Sequence, residues 1–308
     1  MTARIFIDGE AGTTGLQIRD ELADAAGISL VSLAAADRKD VEAKRRLLAE
    51  VDVVILCLPD AAARETVALV DGLGPRGPRI IDASTAHRTA EGWTYGFAEM
   101  SEGQGARIAR ARRVANPGCY ATGAIALLRP LIDAGLLPAS FPVTINAVSG
   151  YSGGGKSMIQ AYESGAAPPF QLYALGLEHK HVPEIMTWSG LTLRPLFVPS
   201  VGNFRQGMLV SVPLHLDALP GSVRAADLGG ALQAHYAGAE CVTVEGAAEA
   251  GLIDATALNG TNRMTLHVLA NEERRHAVLV ARLDNLGKGA SGAAVQNLRL
   301  MLGGAETR

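Results

Sequence analysis

The sequence predicts an α/β fold that opens with a doubly wound domain and continues into a second domain. Three observations predict it. A β-prone run at 3–8 is followed by a glycine loop and then by apolar residues at helical spacing. Further short apolar runs end in turn residues, as parallel strands buried on both faces do. The 308 residues are too many for one simple core and suit two domains.

The elements follow in order. After Ala-Arg-Ile-Phe-Ile-Asp (3–8) comes G-E-A-G-T-T-G, with Gly9, Gly12 and Gly15 spaced as G-x-x-G-x-x-G and Thr13 and Thr14 between the last two. Leu16, Ile18, Leu22 and Ala25 then mark a helix. Strand, glycine loop and helix are the context in which glycines let the backbone approach a pyrophosphate and a helix N-terminus faces it. A second strand is expected over Ile28–Ala35, followed by A-A-D-R-K-D. Asp37 there suits the ribose 2′-hydroxyl of NAD, whereas the adjacent cations Arg38 and Lys39 suit the 2′-phosphate of NADP, and two cations favour NADP.

A third strand is expected over Val51–Leu58, ending in Pro59-Asp60, and a fourth over Arg79–Asp82, ending in A-S-T-A-H-R. Ligands of doubly wound sheets lie at the carboxyl ends of strands, which puts Leu58, Pro59, Ser84 and Thr85 near the cofactor. Arg88 either meets a substrate anion or forms a surface ion pair. Arg107, Arg110, Arg112 and Arg113 read as a solvated face.

Composition excludes several classes. Hydrophobic residues make up 48 % and charged residues 19 %, enough apolar material for an ordinary core. The 35 glycines follow no repeat period, so they mark tight turns rather than linker or collagen-like sequence. A net charge of −3 with no broad basic footprint argues against nucleic acid. No apolar stretch reaches the roughly 18 residues of a membrane span. Three widely spaced cysteines, Cys57, Cys119 and Cys241, fit neither a disulfide framework nor a metal site. With no leader-like segment before the first strand, the reducing cytoplasm is the expected compartment.

The three cysteines are not equivalent. Cys119 stands in A-N-P-G-C-Y-A-T-G, where Pro117 and Gly118 break the preceding element and Ala121 to Leu131 read as a helix. A cysteine at a helix N-terminus has its thiolate favoured by the dipole, and the N–H groups beside it can receive an oxyanion. Asn116 offers an amide to orient the sulfur or the substrate. Cys57 and Cys241 lie in apolar strand-like runs and read as buried hydrophobes.

A cysteine nucleophile needs a base. In E-H-K-H-V-P-E-I (178–185), Pro183 and Glu184 mark the first turn of a helix with His181 just before it. There the dipole favours a neutral imidazole, and Glu184 is near enough to orient it. S-G-Y-S-G-G-G-K-S (149–157) resembles a phosphate loop in spelling, but no acidic strand partners it. Its N–H groups, with Ser149, Gly150, Ser152 and Lys156, are expected to hold a phosphate or carboxylate rather than a nucleoside triphosphate.

Together G-E-A-G-T-T-G, A-N-P-G-C-Y-A-T-G, S-G-Y-S-G-G-G-K, H-K-H-V-P-E-I and D-N-L-G-K-G-A-S-G-A-A-V-Q-N-L (284–298) span almost the whole chain. They resemble N-acetyl-γ-glutamyl-phosphate reductase of arginine biosynthesis, in its shorter sequence type. The resemblance implies an N-terminal Rossmann domain (1–116 plus 286–308, the last helix returning to it) and an α+β catalytic and dimerisation domain (117–285), as in aspartate-semialdehyde dehydrogenase. It implies NADP(H), no metal, a homodimer or homotetramer, and N-acetylglutamyl phosphate and inorganic phosphate as small-molecule partners. It makes Cys119 the nucleophile, His181 the acid/base with His179 next, and places Asn285 and the run Lys288, Gly289 and Ser291 near the nicotinamide. The alternatives are aspartate-semialdehyde dehydrogenase, a relative acting on a carrier-linked substrate, a non-catalytic NADP sensor and a structural oligomer.

Overall fold

The computed structural model describes residues 2–38, 40–246 and 251–303; Lys39 lies outside the described residues. The chain divides into two compact units. One comprises Met1–Ala98, Gly103–Pro117 and Ala290–Arg308, the other Glu99–Glu102 and Gly118–Gly289.

In the first unit β1 (Ala3–Asp8), α1 (Thr13–Leu22), β2 (Ile28–Val31), α2 (Val41–Leu48), β3 (Val53–Leu56), α3 (Asp60–Gly72), β4 (Arg79–Asp82), β5 (Thr94–Tyr95), α4 (Gln104–Arg110) and β6 (Arg113–Ala115) follow one another. The strands form one parallel sheet in the order β2-β1-β3-β4-β6-β5. Successive strand side chains point to opposite faces, so an unbroken apolar run supplies two cores. Ile5, Ile7, Val53 and Ile55 pack with Ile18, Leu22, Ile108 and, from the last helix (Gly292–Met301), Val295 and Leu298. On the other face Phe6, Val54 and Leu56 pack with Leu47, Leu48, Val67 and Val70.

Two strands are shorter than the sequence suggests. β2 stops at Val31 rather than Ala35, because it is an edge strand whose partner residues on β1 run from Ala3 to Phe6 only. The chain then turns, with a 3-10 turn at Ala35–Asp37. β3 covers Val53–Leu56 rather than Val51–Leu58. Asp52 and Cys57 still donate to Arg4 and Asp8 of β1, but Pro59 lacks an N–H and starts α3 instead.

The second unit is built from α5 (Cys119–Asp133), β7 (Thr144–Gly150), α6 (Gly155–Glu163), β8 (Phe170–Leu172), α7 (Val182–Ser189), β9 (Leu196–Gly202), β10 (Met208–His215), α8 (Ala225–His235), β11 (Val242–Glu245), β12 (Met264–Asn271) and β13 (His276–Leu283). Its seven strands form a mixed sheet, ordered β11-β12-β13-β10-β7-β9-β8. A wide π-helical turn, Gly287–Ser291, leads into α9 (Gly292–Met301), the last helix described above. Tyr120 to Leu128 of α5 are buried without a break. Gly123 lets α5 approach the sheet, since a β-carbon there would come within 2.8 Å of Val210 on β10. Along β10, Met208, Val210, Val212 and Leu214 are buried while the alternate residues are not. A shallow apolar groove of about 550 Å³ touches Leu209, Val280, Phe170 and Leu172, of which Phe170 and Leu172 stand exposed.

Candidate active site

Cys119 is the first residue of α5, and Gly118 before it is extended at φ −79°, ψ 145°. The first-turn N–H groups of a helix point out of its N-terminal end. Here they sit beside the sulfur. Thr122 closes the turn: its N–H and its hydroxyl both donate to the Gly118 carbonyl, at 2.8 and 3.0 Å. The N–H of Gly118 donates to Glu184 Oε1 at 2.7 Å. Glu184 is buried in the first turn of α7, so its carboxylate holds the turn that presents Cys119.

His181 is buried and caps α7, with Pro183 in the first turn behind it. Its backbone N–H donates to His179 Nδ1 at 3.1 Å, and the two rings meet edge to face with centroids 4.7 Å apart. Tyr120 touches both rings at 5.9 Å and Phe197 at 5.5 Å. The hydroxyl of Tyr173 lies 3.5 Å from His179 Nε2. Burial, with Tyr173 adding, pushes the Tyr120 hydroxyl far above the ordinary tyrosine range, and burial pushes Tyr173 up to about 12. Both are therefore neutral hydroxyls at neutral pH. Sequence reading missed Tyr120, Tyr173 and Phe197. Tyr120, adjacent to the cysteine, was the one that could have been found.

The turn after β13 closes the other side of the cysteine. A β-carbon on Gly289 would lie 2.8 Å from the Cys119 β-carbon and 3.2 Å from its α-carbon. The Gly289 N–H donates to the Asp284 carbonyl at 2.9 Å. The buried Asp284 carboxylate accepts from the N–H groups of Leu286 and Gly260 and from Gln206 Nε2, at 2.9, 2.7 and 3.1 Å. Asn285 is used as a brace: it accepts from Gly207 N–H and donates to Ser152 Oγ, each at 2.9 Å. Lys288 is buried in an ion pair with Glu99 at 2.7 Å. The N–H groups of Gly150, Tyr151 and Ser152 donate to the carbonyls of Gly207, Phe204 and Arg205. Those three amides therefore hold a neighbouring loop instead of an anion. The Ser149 hydroxyl donates to the Gly150 carbonyl.

Within the first unit the glycine loop is tight. Gly9 has φ +92°, and a β-carbon there would run into the Cys57 carbonyl. One on Gly15 would lie 2.5 Å from the Gly9 carbonyl. Gly12 precedes α1, and Thr13 and Thr14 begin it. Beside the loop a cleft of about 220 Å³ is bordered by Gly9, Glu10, Leu33, Arg38, Lys44 and Leu58. Ser84, through both its N–H and its hydroxyl, and His87 bind the buried carboxylate of Asp82 at 2.9, 2.8 and 2.5 Å. His87 stacks on Trp93 at 4.2 Å. Arg88 is buried and donates to the carbonyls of Asn116 and Ala83 at 3.0 and 3.2 Å. The Asn116 side chain donates to the Ala290 carbonyl at 2.9 Å and accepts from Asn297 at 3.0 Å. Ser291 donates to Glu21 at 2.7 Å.

None of the three cysteines forms a disulfide. Among the described residues no cluster of three His, Cys, Asp or Glu side chains is arranged to hold a metal ion, and no helix is long and apolar enough to cross a membrane.

A parallel nucleotide-binding sheet and a seven-stranded mixed sheet carrying a cysteine at a helix start define the semialdehyde dehydrogenase class. The profile of the semialdehyde dehydrogenase dimerisation domain matches residues 119–285, beginning at that cysteine. Aspartate semialdehyde dehydrogenase II from Vibrio cholerae superposes with a TM-score of 0.72 over 98 % of each chain at 13 % identity. The Candida albicans enzyme with NADP does so at 0.68 over 98 % of this chain and 99 % of that one, at 11 % identity, a likeness of fold alone. Sequence relatives are closer. N-acetyl-gamma-glutamyl-phosphate reductase of Trichormus variabilis is 54 % identical over 97 % of both chains, and that of Chelativorans sp. 54 % identical over 99 % of both. The chain belongs to the N-acetyl-gamma-glutamyl-phosphate reductase family.

Proposed function

We propose that Cys119 is the nucleophile through which this chain works as an NADPH-dependent reductase of N-acetyl-γ-glutamyl phosphate. The product is N-acetylglutamate 5-semialdehyde, released with phosphate. The observation that carries the reading is the position of Cys119 as the first residue of α5, in a turn held by Glu184. It stands beside the near-full-length likeness to reductases of that name.

The first unit fits the cofactor. The loop at Gly9 has no room for a side chain, and the adjoining cleft offers Arg38 for a 2′-phosphate. Gly12, Thr13, Thr14 and Gly15, at the N-terminal end of α1, are assigned to the pyrophosphate. Lys39, Leu58, Pro59 and Ser84 remain assigned to the same ligand. When bound, NADPH supplies the hydride that reduces the thioester.

The protein's own residues do the rest. The Cys119 sulfur attacks the γ-acyl carbon, its proton passing to the His181 imidazole. The carbon–sulfur bond forms, the bond to phosphate breaks, and phosphate leaves with the electron pair. First-turn N–H groups of α5 receive the oxyanion. After reduction the thiohemiacetal collapses, the aldehyde leaves, and His181 returns the proton to sulfur. His179, bonded to the His181 backbone, and the neutral Tyr120 fix the imidazole. Arg88 and Ser149 are assigned to the anionic groups of the substrate, while the Gly150 N–H, bonded to the Gly207 carbonyl, is left to shape the loop.

A second copy of the chain is the partner we assign to the apolar sheet face at Phe170, Leu172 and Leu196; their exposure and the dimerisation profile support it. Three cysteines outside any disulfide suit the cytoplasm.

The test is phosphate-dependent reduction of NADP with N-acetylglutamate 5-semialdehyde and, separately, aspartate semialdehyde. Turnover with the first and not the second is expected. Preference for the second would replace this substrate with that of aspartate-semialdehyde dehydrogenase.

A further inference from the structure

Glu10, in the glycine loop, sits in an arrangement that a loop pin alone does not require. Its Oε2 lies 2.6 Å from Arg19 Nη1 and accepts from the Ser32 hydroxyl at 2.7 Å, while its Oε1 lies 2.9 Å from Arg38 Nη2. Arg19 also donates to Ser32 Oγ at 3.3 Å. Three donors, from α1, from the end of β2 and from the turn after it, thus converge on one carboxylate. That carboxylate side chain is only 14 % exposed, while each guanidinium side chain is 49 % exposed. Glu10 and Arg38 both border the cleft beside Gly9, and the end of β2 is where a doubly wound fold receives the adenosine ribose.

Charge decides what this means. Two guanidiniums against one carboxylate leave one net positive charge. A 2′-phosphate brings close to two negative charges and three acceptor oxygens. With Glu10 in place, three negative charges would face the two positive ones that Arg19 and Arg38 supply among the described residues. Lys44 does not make up the difference, because its ammonium is committed to Asp8 at 2.7 Å. We propose that Glu10 is an internal stand-in for the 2′-phosphate of NADPH: it keeps Arg19, Ser32 and Arg38 assembled and yields them when the cofactor arrives. Glu10 thereby lowers the affinity for the 2′-phosphate while preserving the shape of its site. This rests on the reading that Arg38 takes that phosphate, and it adds Arg19 and Ser32 to the site.

The experiment is calorimetric titration with adenosine 2′,5′-bisphosphate and adenosine 5′-phosphate. Wild type is compared with Glu10→Gln, Glu10→Asp and Arg38→Met. Glu10→Gln is expected to bind the bisphosphate roughly five-fold more tightly, the size of two half-exposed ion pairs given up, with no change for the monophosphate. Glu10→Asp, too short to reach both arginines, should shift in the same direction and covers the case in which the glutamine variant does not fold. Weaker bisphosphate binding, or equal changes for both ligands, overturns the proposal and makes Glu10 a loop pin or a permanent part of the site. Arg38→Met separates the two claims. Loss of the 2′-phosphate preference there supports the underlying reading, and full retention overturns it whatever Glu10 does.

Discussion

Cys119 differs from Cys57 and Cys241 in what surrounds its sulfur, and that difference is measurable. Burial pushes the Cys57 thiol up to about 12, with Asp82 and Asp8 adding, and burial pushes Cys241 up to about 11 against the pull of Lys288. Both stay protonated far above neutral pH. Iodoacetamide at about pH 8 should therefore label Cys119 first, as read by peptide mass spectrometry; equal labelling of Cys57 would remove the distinction. Cys57 also gives stability a sign. Its thiol loses its proton near 9 when unfolded and near 12 when folded, so its contribution is whole below about pH 9 and falls as pH rises through that window. Urea midpoints taken between about pH 8 and pH 11 should fall less steeply for Cys57→Ala. The cysteine was legible in the sequence because N-P-G-C-Y states its helix start locally. The Glu184 bond was not, because it joins residues 66 apart in the chain, and Glu184 was instead expected to serve His181.

At the scale of elements, Cys119 is held by the ends of two helices and one glycine turn. Glu184→Ala leaves the Gly118 N–H buried without its acceptor, which should cost about 1–3 kcal/mol of stability and lower kcat with it. Glu184→Gln keeps an acceptor oxygen and should recover most of the stability, as thermal melts would show. Gly289→Ala should fold yet slow Cys119 alkylation and turnover by roughly ten-fold or more, because the new methyl meets the cysteine directly. Unchanged alkylation would mean that the turn has room to move. The strands and α5 were legible from apolar runs and from the Pro-Gly break. The end of β2 and both limits of β3 were not: β2 is an edge strand that leaves β1 after Phe6, and no local residue marks that point. The π-helical form of 287–291 was equally hidden, because G-K-G-A-S reads as any flexible connector.

For the whole molecule, the proposed second copy of the chain would cover the exposed apolar face of the second sheet. Phe170→Glu should shift sedimentation toward the monomer while leaving the circular dichroism of the fold intact. An unshifted boundary would move the interface elsewhere. The proposed mechanism rests on one covalent event, and a single measurement tests it: intact mass after mixing the enzyme with N-acetyl-γ-glutamyl phosphate in the absence of NADPH. The account predicts a gain of one N-acetylglutamyl group, mapped to Cys119, sensitive to hydroxylamine and absent from Cys119→Ala. An adduct on another residue, or full turnover by Cys119→Ala, would contradict it.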